Sequence, residues 1–572
     1  MGHEPFDPVK NADRALRLGR LLLVAISIAL VGLLGRVVQL QIRPAARIAA
    51  LIGSQAGKGR IEGRRGLLAD RKGRPLAVSR TATRLFADPK LIKDSAHFAR
   101  IVADKLGYDA STVAKNINKN NRRRYVVIDH RLSTDRLAVM ADLKLAGLAT
   151  QRWVERHYPQ GTTAGQLLGV VGFEGSGLEG LEYAYESELS AAAGTFTYER
   201  DAARRPLRIM GRGYRQPRDG RGIRLTIDLT VQSIAEQQLA RQCRQYDAQQ
   251  GQLIVMEPDT GHVLAMANYP AFDPNKLVDS LAVVRRNQCV TDTFEPGSVF
   301  KPFVWAAAVE GGYIDPGESF DCSSTGSWVS PKGRRIRDVH GHGVITGEQI
   351  LIQSSNSGMA QIALRMGKAR LYDTVRAFGF GTRSGSGLPG ETRGIVHPLS
   401  QWNHFSLTSV PMGQEVAVTG LQMVRAMSVI ANDGWLLCPV LRFEQTPLVY
   451  EHVISTETAK LTRRVLRRVV TEGTGRRARS KLYTIFGKTG TAQIADLENG
   501  GYLKDKYVSS FIGGAPVDRP RIVVGCFISK TDKAKGYYGS IVAAPAVKRV
   551  IEKTLLYQRQ PPDAGQHRGS AL

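Results

Sequence analysis

A long apolar run lies close to the N-terminus of the chain. Residues 21–35 read LLLVAISIALVGLLG, and apolar positions continue past Arg36 as far as Ile42. A helix needs about 20 residues to cross the hydrocarbon core of a bilayer, and this run reaches that length if Arg36 extends its long side chain to the far interface. We therefore predict a cytoplasmic tail over 1–17 and a transmembrane anchor over 18–42.

A cleaved signal peptide would share the basic start and the apolar length of this run. No small-x-small cleavage site follows directly, because Arg36, Arg43 and Pro44 intervene together with two glutamines. An uncleaved anchor is therefore favoured. Basic residues both precede and follow the span, so the lysine and arginine bias leaves its orientation open. The short N-terminal tail and large C-terminal body favour a body outside the cytoplasm.

Beyond a Gly- and Arg-rich stretch at 53–66, apolar spacing predicts a mixed region that extends to about Arg215. Pro, Gly and charged residues then cluster at 215–222 and mark a boundary. We predict a first domain over 53–215. Its predicted elements are helices over Ser95–Leu106 and 134–145, a strand over 125–129, and a segment 175–189 that starts flexibly and becomes helical.

The pattern after residue 222 predicts a second domain over 222–557. Strands at both ends with helices between them indicate an α+β fold, an antiparallel sheet covered by helices. The residues after Tyr557 are rich in Gln, Pro and Gly, so we predict a disordered tail over 558–572. The predicted strands are 223–227, 252–256, 262–267, 508–513 and 522–528, and the predicted helices are 229–244, 300–310 and 421–432.

Composition narrows the class of protein. The chain has 572 residues, too many for one core, and its 42% apolar and 23% charged residues fit a folded globular protein. The net charge is +28, but no nucleic-acid-binding motif accompanies it. A solvated arginine-rich surface accounts for that charge, and attraction to an anionic membrane or cell wall is the alternative.

Cysteine is scarce, with five residues in the whole chain. Their odd number and their spacing indicate neither a disulfide scaffold nor a zinc site. One disulfide stays open as a possibility for an exported domain. We predict no metal and no cofactor, and a loop role for Asp338, His340 and His342.

Three short motifs carry the candidate chemistry. They are Ser298-Val299-Phe300-Lys301, Ser354-Ser355-Asn356 and Lys488-Thr489-Gly490-Thr491. Each alone is common in proteins of every kind, so their order and local context decide their meaning.

Ser298 follows a Pro-Gly pair and precedes an apolar helix, which places it at a helix N-terminus where backbone N–H groups are free. Lys301 shares that helix face and is expected to lie beside the Ser298 hydroxyl. A serine needs a base to become a nucleophile, and a lysine is a base only if its pKa is lowered by burial or by a second positive charge. Lys488 is a candidate for that second charge.

The Lys488–Thr491 motif suits a strand that comes close to a ligand. Gly490 is expected to leave room for a substrate backbone, while Lys488, Thr489 and Thr491 offer groups that bind a carboxylate. Ser354 would relay a proton, and the amide of Asn356 would hold the substrate.

This set of motifs is the one found in serine β-lactamases and penicillin-binding proteins. After the anchor, nearly the whole chain resembles the class B penicillin-binding proteins. Phe294–Ser298, with Thr291 and Asp292 before it, is most similar to the division (FtsI-type) and sporulation branch. Other segments that resemble the family are Arg65-Gly66 with Asp70-Arg71, Gly73 and Leu76-Ala77, then 156–159, 179–182 and 225–228.

The resemblance implies a peptidoglycan D,D-transpeptidase in which Ser298 attacks a stem peptide, Lys301 acts as base and Ser354 passes the proton to the leaving D-alanine. It implies that Asn356 orients the donor peptide and that Lys488, Thr489 and Thr491 hold its carboxylate. The backbone N–H groups of Ser298 and Thr491 would form the oxyanion hole.

The same resemblance implies a single-pass protein of the inner (plasma) membrane with its catalytic domain on the periplasmic side. Residues 53–215 would be a pedestal of the dimerisation type that docks a polytopic SEDS glycan polymerase (FtsW-like) and other division proteins. The substrates would be stem peptides of lipid II-derived strands, and β-lactams would be inhibitors. The role would be septal wall synthesis at cell division.

Other readings are weighed against this one. A β-lactamase would need a group that activates water, and no acidic loop motif of the class A type supplies it. A bifunctional polymerase would need more chain before Gly222. A non-catalytic membrane scaffold or β-lactam sensor would not need the intact motifs. A transpeptidase of cell elongation or of sporulation would use the same chemistry as one of cell division. The sequences of segments 412–415 and 418–422 differ from the usual family pattern, so the resemblance does not predict which residues form the rim of the site.

Overall fold

The structure, a computed structural model, describes residues 8–42, 56–201, 206–277, 280–496 and 498–564. Contacts along the chain divide it into two units. The first comprises 1–63 and 191–218, and the second comprises 64–190 and 219–572. Each is described by itself below.

The first unit contains the N-terminal helix and a three-stranded antiparallel sheet. The helix spans Pro8–Ile42, and from Ala12 onward it is long and apolar enough to cross a membrane. It contains the predicted anchor 18–42 and begins inside the predicted tail 1–17, of which residues 1–7 lie outside the described ranges. The strands of the sheet are, in order, Ala56–Ile61, Gly194–Arg200 and Pro206–Arg215.

In the second unit, residues 64–190 form a sheet with helices packed beside it. The long strand Pro75–Ala87 pairs with Leu148–His157 along ten residues. The other strands are Leu68–Ala69 and Val126–Asp129, and the helices are Ser95–Leu106, Ala110–Lys119, Thr134–Asp142, Gly165–Leu168, Gly180–Ala184 and Glu186–Leu189, with a 3-10 turn at Pro89–Leu91.

The predicted helix Ser95–Leu106 is confirmed with the same bounds, and its ends show why. The Asp94 side chain accepts hydrogen bonds from the backbone N–H groups of Ala96 and His97, which otherwise lack helical partners. Gly107 ends the helix in the left-handed conformation, at φ 69°. Phe98 and Val102 then pack on the strand Pro75–Ala87.

A buried ionic cluster holds the same region together. The Glu182 carboxylate accepts from Arg65 Nε and from Arg156 Nε, both at 2.6 Å, and all three side chains are at most 6% exposed. The Tyr158 hydroxyl donates to Glu182 at 3.4 Å. These residues come from three of the sequence segments that resemble the penicillin-binding family, and their proximity gives those segments a structural reason.

A second ionic cluster joins residues 64–190 to the rest of their unit. Arg74 pairs with Asp70 at 2.6 Å and with Asp228 at 2.8 Å, and Asp228 also caps the helix Leu229–Gln245. The compact unit therefore includes most of the domain predicted over 53–215, and only the stretches before Arg64 and after Ser190 fall into the first unit.

Residues 219–564 carry the remaining elements. The strands are Ile223–Arg224, Gln250–Met256, Val263–Tyr269, Ser319–Asp321, Ser327–Val329, Arg335–Arg337, Val344–Thr346, Ile395–Val396, Val416–Ala417, Trp435–Leu437, Val449–His452, Phe486–Ala495, Tyr502–Ala515 and Ile522–Ser529. The helices are Leu229–Gln245, Ala282–Arg285, Gln288–Thr291, Lys301–Glu310, Gly347–Gln353, Asn356–Ala377, Ser406–Ser409, Gly420–Ala431, Thr456–Thr471, Gly539–Val542 and Ala544–Tyr557, with 3-10 turns at Pro274–Lys276, Gly297–Phe300, Leu399–Gln401, Val410–Met412 and Arg476–Ala478.

The central sheet of this region has five strands, all antiparallel. Their order is Val263–Tyr269, Gln250–Met256, Ile522–Ser529, Tyr502–Ala515 and Phe486–Ala495. The predicted hairpin around Pro258–Gly261 and the two late strands are confirmed, as is the α+β fold class. The strand Phe486–Ala495, which carries the third motif, lies at an edge of the sheet.

Helices cover both faces of the central sheet. Leu253 and Val255 pack with the helices Leu229–Gln245 and Ala544–Tyr557, whereas Ile254 and Met256 belong to the core on the other face, which includes the helix Gly420–Ala431. Successive side chains of a strand point to opposite faces. A strand buried on both faces therefore reads as one continuous apolar run, as 253–256 does.

Several predicted elements differ in extent. The strand predicted over 223–227 is confined to Ile223–Arg224, because Leu225 pairs instead with Arg442. The helix predicted over 134–145 ends at Asp142, because Leu143 takes an extended conformation and packs against the neighbouring core. Segment 175–189 forms two short helices divided at Tyr185.

The prediction of a disordered tail over 558–572 is wrong for its first seven residues. The backbone N–H groups of Asp563 and Ala564 both donate to the Leu482 carbonyl at 3.1 Å, and the Asp563 carboxylate accepts from the Thr484 N–H at 2.7 Å. Residues 558–564 are thus bound to the domain, while 565–572 lie outside the described residues. All five cysteines are free and buried.

Glu182→Ala is expected to lower the free energy of unfolding by about 3–5 kcal/mol, because it leaves the buried Arg156 guanidinium without a carboxylate and the buried Arg65 guanidinium with Glu186 alone. Urea denaturation of the full-length chain in detergent, followed by tryptophan fluorescence, measures the change. The matched control is Glu444→Ala, which removes the exposed partner of Arg224 and is expected to cost at most about 1 kcal/mol. Equal losses in the two variants would contradict a structural role for the buried cluster.

Candidate active site

The three predicted motifs meet in one cleft. Its volume is about 610 Å³, and its lining includes Ser298, Ser354, Asn356, Thr489 and Thr491. Lys301 and Lys488 are fully buried beneath it. The predicted site residues, which lie up to 193 positions apart in the chain (298 to 491), are therefore brought together by the fold.

Ser298 lies in a 3-10 turn, Gly297–Phe300, that leads directly into the helix Lys301–Glu310. The preceding residue, Gly297, has φ +60° and donates its N–H to the Gly413 carbonyl at 3.0 Å. A Cβ at Gly413 would come within 2.3 Å of the Gly297 carbonyl oxygen. The turn is thus fixed by backbone packing, and Ser298 is held at the start of the helix as predicted.

Ser354 occupies a strained position between two helices. It ends the helix Gly347–Gln353 with left-handed backbone angles, φ 63° and ψ 36°, which are unusual for a residue with a Cβ. Asn356 then begins the helix Asn356–Ala377. This sharp reversal presents the Ser354 hydroxyl, the Ser354 carbonyl and the Asn356 amide to the same point in the site.

Lys301 uses all three of those groups. Its Nζ lies 2.6 Å from the Ser354 carbonyl oxygen, 2.7 Å from Asn356 Oδ1 and 3.3 Å from Ser354 Oγ. Between the described residues Lys301 and Ser298 there is no hydrogen bond, so the expected direct contact is replaced by one with the second motif. Burial lowers the pKa of Lys301 to about 7, and the nearby Asp338 carboxylate acts in the opposite direction.

Lys488 approaches the same hydroxyl from the sheet. Its Nζ donates to Ser354 Oγ at 2.8 Å and to the Thr489 carbonyl at 3.2 Å. Burial, together with the adjacent Lys301, lowers the pKa of Lys488 well below its usual value. Two fully buried amines around one hydroxyl cannot both carry a proton at low cost. The structure therefore supports the expected coupling between the two lysines.

Asp338 braces the second motif, a role the sequence did not reveal. Its carboxylate accepts from Ser355 Oγ at 2.9 Å, from Ser357 Oγ at 2.5 Å and from the Asn356 N–H. A carboxylate at this helix N-terminus satisfies free N–H groups and faces the positive end of the helix dipole. A loop role had been predicted for Asp338. No spacing signal connects it to the second motif, because the contact spans 18 residues that include the strand Val344–Thr346 and the helix Gly347–Gln353.

The edge strand Phe486–Ala495 positions the third motif. Thr489 Oγ1 lies 2.8 Å from Thr474 Oγ1, and Thr491 Oγ1 accepts from the Gly539 N–H at 3.0 Å. Gly490 also has a packing role within the protein. A Cβ there would meet Val299 Cγ1 at 3.0 Å and the Pro296 carbonyl at 3.1 Å, so the glycine lets the strand approach the Ser298 turn rather than a ligand alone.

Other residues of the cleft were not identified from the sequence. Glu295 accepts from the Glu415 N–H and from the Tyr502 hydroxyl, both at 2.9 Å, and burial raises its pKa. Tyr507 and Tyr537 pack ring against ring, with centroids 4.6 Å apart. Glu295 and both tyrosines line the cleft. Only Glu295 could have been identified as a cleft residue from the sequence, because it lies three positions before Ser298.

Two family models match the chain. The model of the penicillin-binding protein transpeptidase domain matches residues 251–552, and that of the penicillin-binding protein dimerisation domain matches residues 60–225. The first match contains all three motifs. The second contains the buried Glu182 cluster.

Similar proteins and structures agree with these matches. Stage V sporulation protein D of Bacillus subtilis is 32% identical over 512 residues, with 86% of this chain and 78% of that protein covered. Peptidoglycan D,D-transpeptidase FtsI of Escherichia coli is 29% identical over 551 residues, with coverage of 95% and 92%. The crystal structure of penicillin-binding protein 3 from Mycobacterium tuberculosis with aztreonam superposes with a TM-score of 0.66 at 27% identity, over 88% of this chain and 98% of that one.

The pKa of Lys301 generates a testable pH dependence. If the neutral amine of Lys301 activates Ser298, the second-order rate constant for acylation by benzylpenicillin should rise about tenfold per pH unit below pH 7 and level off above it. Stopped-flow acylation between pH 5 and 9 measures this profile. Lys301→Arg, which keeps a positive charge at every pH, should remove acylation throughout. A flat profile for the unmodified chain would contradict the role of Lys301 as base.

Proposed function

Because this chain belongs to the class B penicillin-binding proteins, which join a dimerisation domain to a transpeptidase domain, we propose that it crosslinks peptidoglycan through a Ser298 acyl-enzyme. It is a serine-type D,D-transpeptidase by family. The observation that carries the assignment of residues is the pair of buried lysines that meet at the Ser354 hydroxyl beside Ser298. We assign 53–215 as the pedestal and 222–557 as the catalytic domain.

In the first half of the reaction, Ser298 Oγ attacks the carbonyl carbon between the two terminal D-alanines of a donor stem peptide. Neutral Lys301 takes the hydroxyl proton. The proton then passes through the Ser354 hydroxyl, which both lysines contact, to the nitrogen of the leaving D-alanine. The C–N bond breaks, and the donor peptide stays bound to Ser298 as an ester.

The edge strand and the helix start stabilise this step. The backbone N–H groups of Ser298 and Thr491 stabilise the negative charge on the carbonyl oxygen of the tetrahedral intermediate. Lys488, Thr489 and Thr491 bind the terminal carboxylate of the donor. The donor backbone pairs with the open edge of Phe486–Ala495 and with the Asn356 amide, because an edge strand has unpaired backbone groups.

In the second half, the amine of an acceptor stem peptide attacks the ester carbonyl. The C–O bond to Ser298 breaks, and Ser298 recovers a proton as the amide crosslink forms. The neutral Lys301, which gave up its proton to the leaving D-alanine, takes a proton from the attacking amine and delivers it to Ser298 Oγ, so the same groups serve both half-reactions in opposite directions.

The proposed setting is the inner (plasma) membrane. The helix Pro8–Ile42 would anchor the chain in a single pass, with the catalytic domain on the periplasmic side. Septal synthesis at cell division is the favoured role. The resemblance of 291–298 to the division and sporulation branch supports it over elongation, and the extent of the match to FtsI supports it over sporulation. The match to a sporulation protein makes sporulation the main competitor.

The pedestal is proposed to dock a polytopic SEDS glycan polymerase and other division proteins of the membrane. This would place strand polymerisation next to the crosslinking site. Co-purification from membranes tests it: deletion of 53–215 should remove the polymerase from the complex, and a polymerase that stays bound to the deleted chain would refute the docking role.

Fluorescent penicillin is expected to label the full-length chain stably, with one label per chain, and Ser298→Ala should abolish labelling because no other group forms the ester. Gel fluorescence and intact-protein mass spectrometry measure both outcomes. Ser280→Ala changes a half-buried loop serine outside the cleft, whose hydroxyl donates to the Leu277 carbonyl and accepts from Arg285. It is the matched control and should label normally.

The same measurement separates the alternatives. Labelling that decays within minutes with drug hydrolysis would identify a β-lactamase. No labelling of a folded chain would identify a scaffold, and both results would contradict the proposed transpeptidase.

Depletion of the protein in its host tests the cellular role. Filamentous cells without septa are expected, because septal crosslinking would stop while elongation continues. Microscopy of cell length and of fluorescent D-amino acid incorporation measures this. Rounded cells would indicate an elongation role, and normal vegetative growth with failed spores would indicate sporulation.

A further inference from the structure

One stretch of the catalytic domain is strongly basic. Between residues 458 and 495 the sequence has ten lysines and arginines and a single acid, Glu472. Three of the ten are accounted for by the interior of the protein or its ion pairs: Lys488 lies in the site, Arg463 pairs with Asp433 and Arg468 pairs with Glu348 and Glu472. Six of the others, defined here as the basic strip, are Lys460, Arg464, Arg467, Arg477, Arg479 and Lys481.

The basic strip is solvent-accessible and lacks neutralising partners. Lys460, Arg464 and Arg467 share the outer face of the helix Thr456–Thr471, whose opposite face is buried. Arg477, Arg479 and Lys481 are exposed in the segment that follows. None of the six forms an ion pair with a carboxylate in the described part of the chain, whereas arginines such as Arg65, Arg285 and Arg442 do.

A residue between the two halves of the basic strip lines the active-site cleft. This residue is Thr474, which is bound to Thr489 of the third motif at 2.8 Å. Arg477 is only three residues further along the chain. Exposed positive charge therefore adjoins, along the chain, a residue that lines the cleft.

A second basic segment reaches the same cleft. The hairpin of Ser327–Val329 and Arg335–Arg337 exposes Lys332, Arg335 and Arg337. The Arg337 carbonyl accepts from the Asn356 amide at 2.8 Å, and the next residues, Asp338 and Val339, line the cleft. The cleft thus opens onto exposed cations from two separate parts of the fold.

We propose that the basic strip binds the carboxylates of stem peptides that neighbour the reacting one on the same peptidoglycan strand. This inference rests on the proposed function and extends it, because it makes a multivalent anionic strand, rather than a single peptide, the preferred substrate. Each stem peptide ends in a carboxylate, so a strand presents a row of negative charges to the strip. Attraction of this kind raises the encounter rate and the avidity, and it weakens with salt.

The test compares two variants of the full-length chain in nanodiscs of neutral phosphatidylcholine. R477E/R479E/K481E reverses three charges of the strip, and R122E/R123E/R124E reverses three exposed charges of a loop in 64–190, so both change the net charge equally. The probe is purified uncrosslinked peptidoglycan strands. Crosslinked dimers are counted by mass spectrometry, and strand binding is measured by co-sedimentation.

The strip variant is expected to crosslink strands about tenfold more slowly at low salt, since three exposed contacts of modest strength are lost. The difference between this variant and the unmodified chain should become smaller at high salt, because salt also weakens the binding of strands by the unmodified chain. The loop variant should match the unmodified chain. Penicillin labelling, which needs Ser298 but no neighbouring peptide, reports separately on the proposed function and on the integrity of the site.

Equal effects of the two variants, or no effect of either, would overturn the proposal. Loss of binding to phosphatidylglycerol vesicles with normal strand crosslinking would also overturn it, because the strip would then face lipid. If R477E/R479E/K481E loses penicillin labelling, R464E/R467E on the outer helix face is measured instead, with the same expected loss of strand crosslinking. Failure of the unmodified chain to label would count against the proposed function instead.

Discussion

The burial of two amines around one serine hydroxyl is the constraint on which the rest of the site depends. Lys301 reaches Ser354 from the nucleophile helix, and Lys488 reaches it from the edge of the central sheet. To lower the pKa of Lys301 from 10.5 to about 7 costs its charged form roughly 5 kcal/mol. Because burial of two adjacent amines opposes folding, the surrounding structure must hold both lysines in place.

That structure is the central sheet and the two helices that begin at the site. The strand that carries Lys488 is an edge strand, so it has a neighbouring strand on one side only. Hydrophobic cores on the two faces of the sheet also hold it in position. The left-handed turn at Ser354 is strained, and Asp338 secures the residues that follow it. Strain of this kind persists at sites where neighbouring contacts determine the conformation.

Features of the structure that depend on neighbouring residues in the chain could be predicted from the sequence, whereas contacts between distant segments could not. The fold class, the hairpin at 258–261 and the helix Ser95–Leu106 follow local patterns of apolar residues and caps, and they were predicted correctly. The motifs predicted which residues would meet. The contacts of Lys301 with Ser354 and Asn356, the reason for Gly490 and the bracing role of Asp338 could not be predicted, because each is a contact between segments that have no fixed spacing in the chain.

The glycines that let backbone segments touch at the Ser298 turn also limit how a β-lactam target of this kind can evolve drug resistance. A side chain at Gly413 would collide with the backbone of Gly297, and one at Gly490 would press on Pro296 and Val299. Substitutions of Gly413 or Gly490 that would exclude a β-lactam are therefore expected also to displace the turn that holds Ser298. Viable resistance substitutions should accumulate at rim positions with free space, such as Val339, which is 84% exposed.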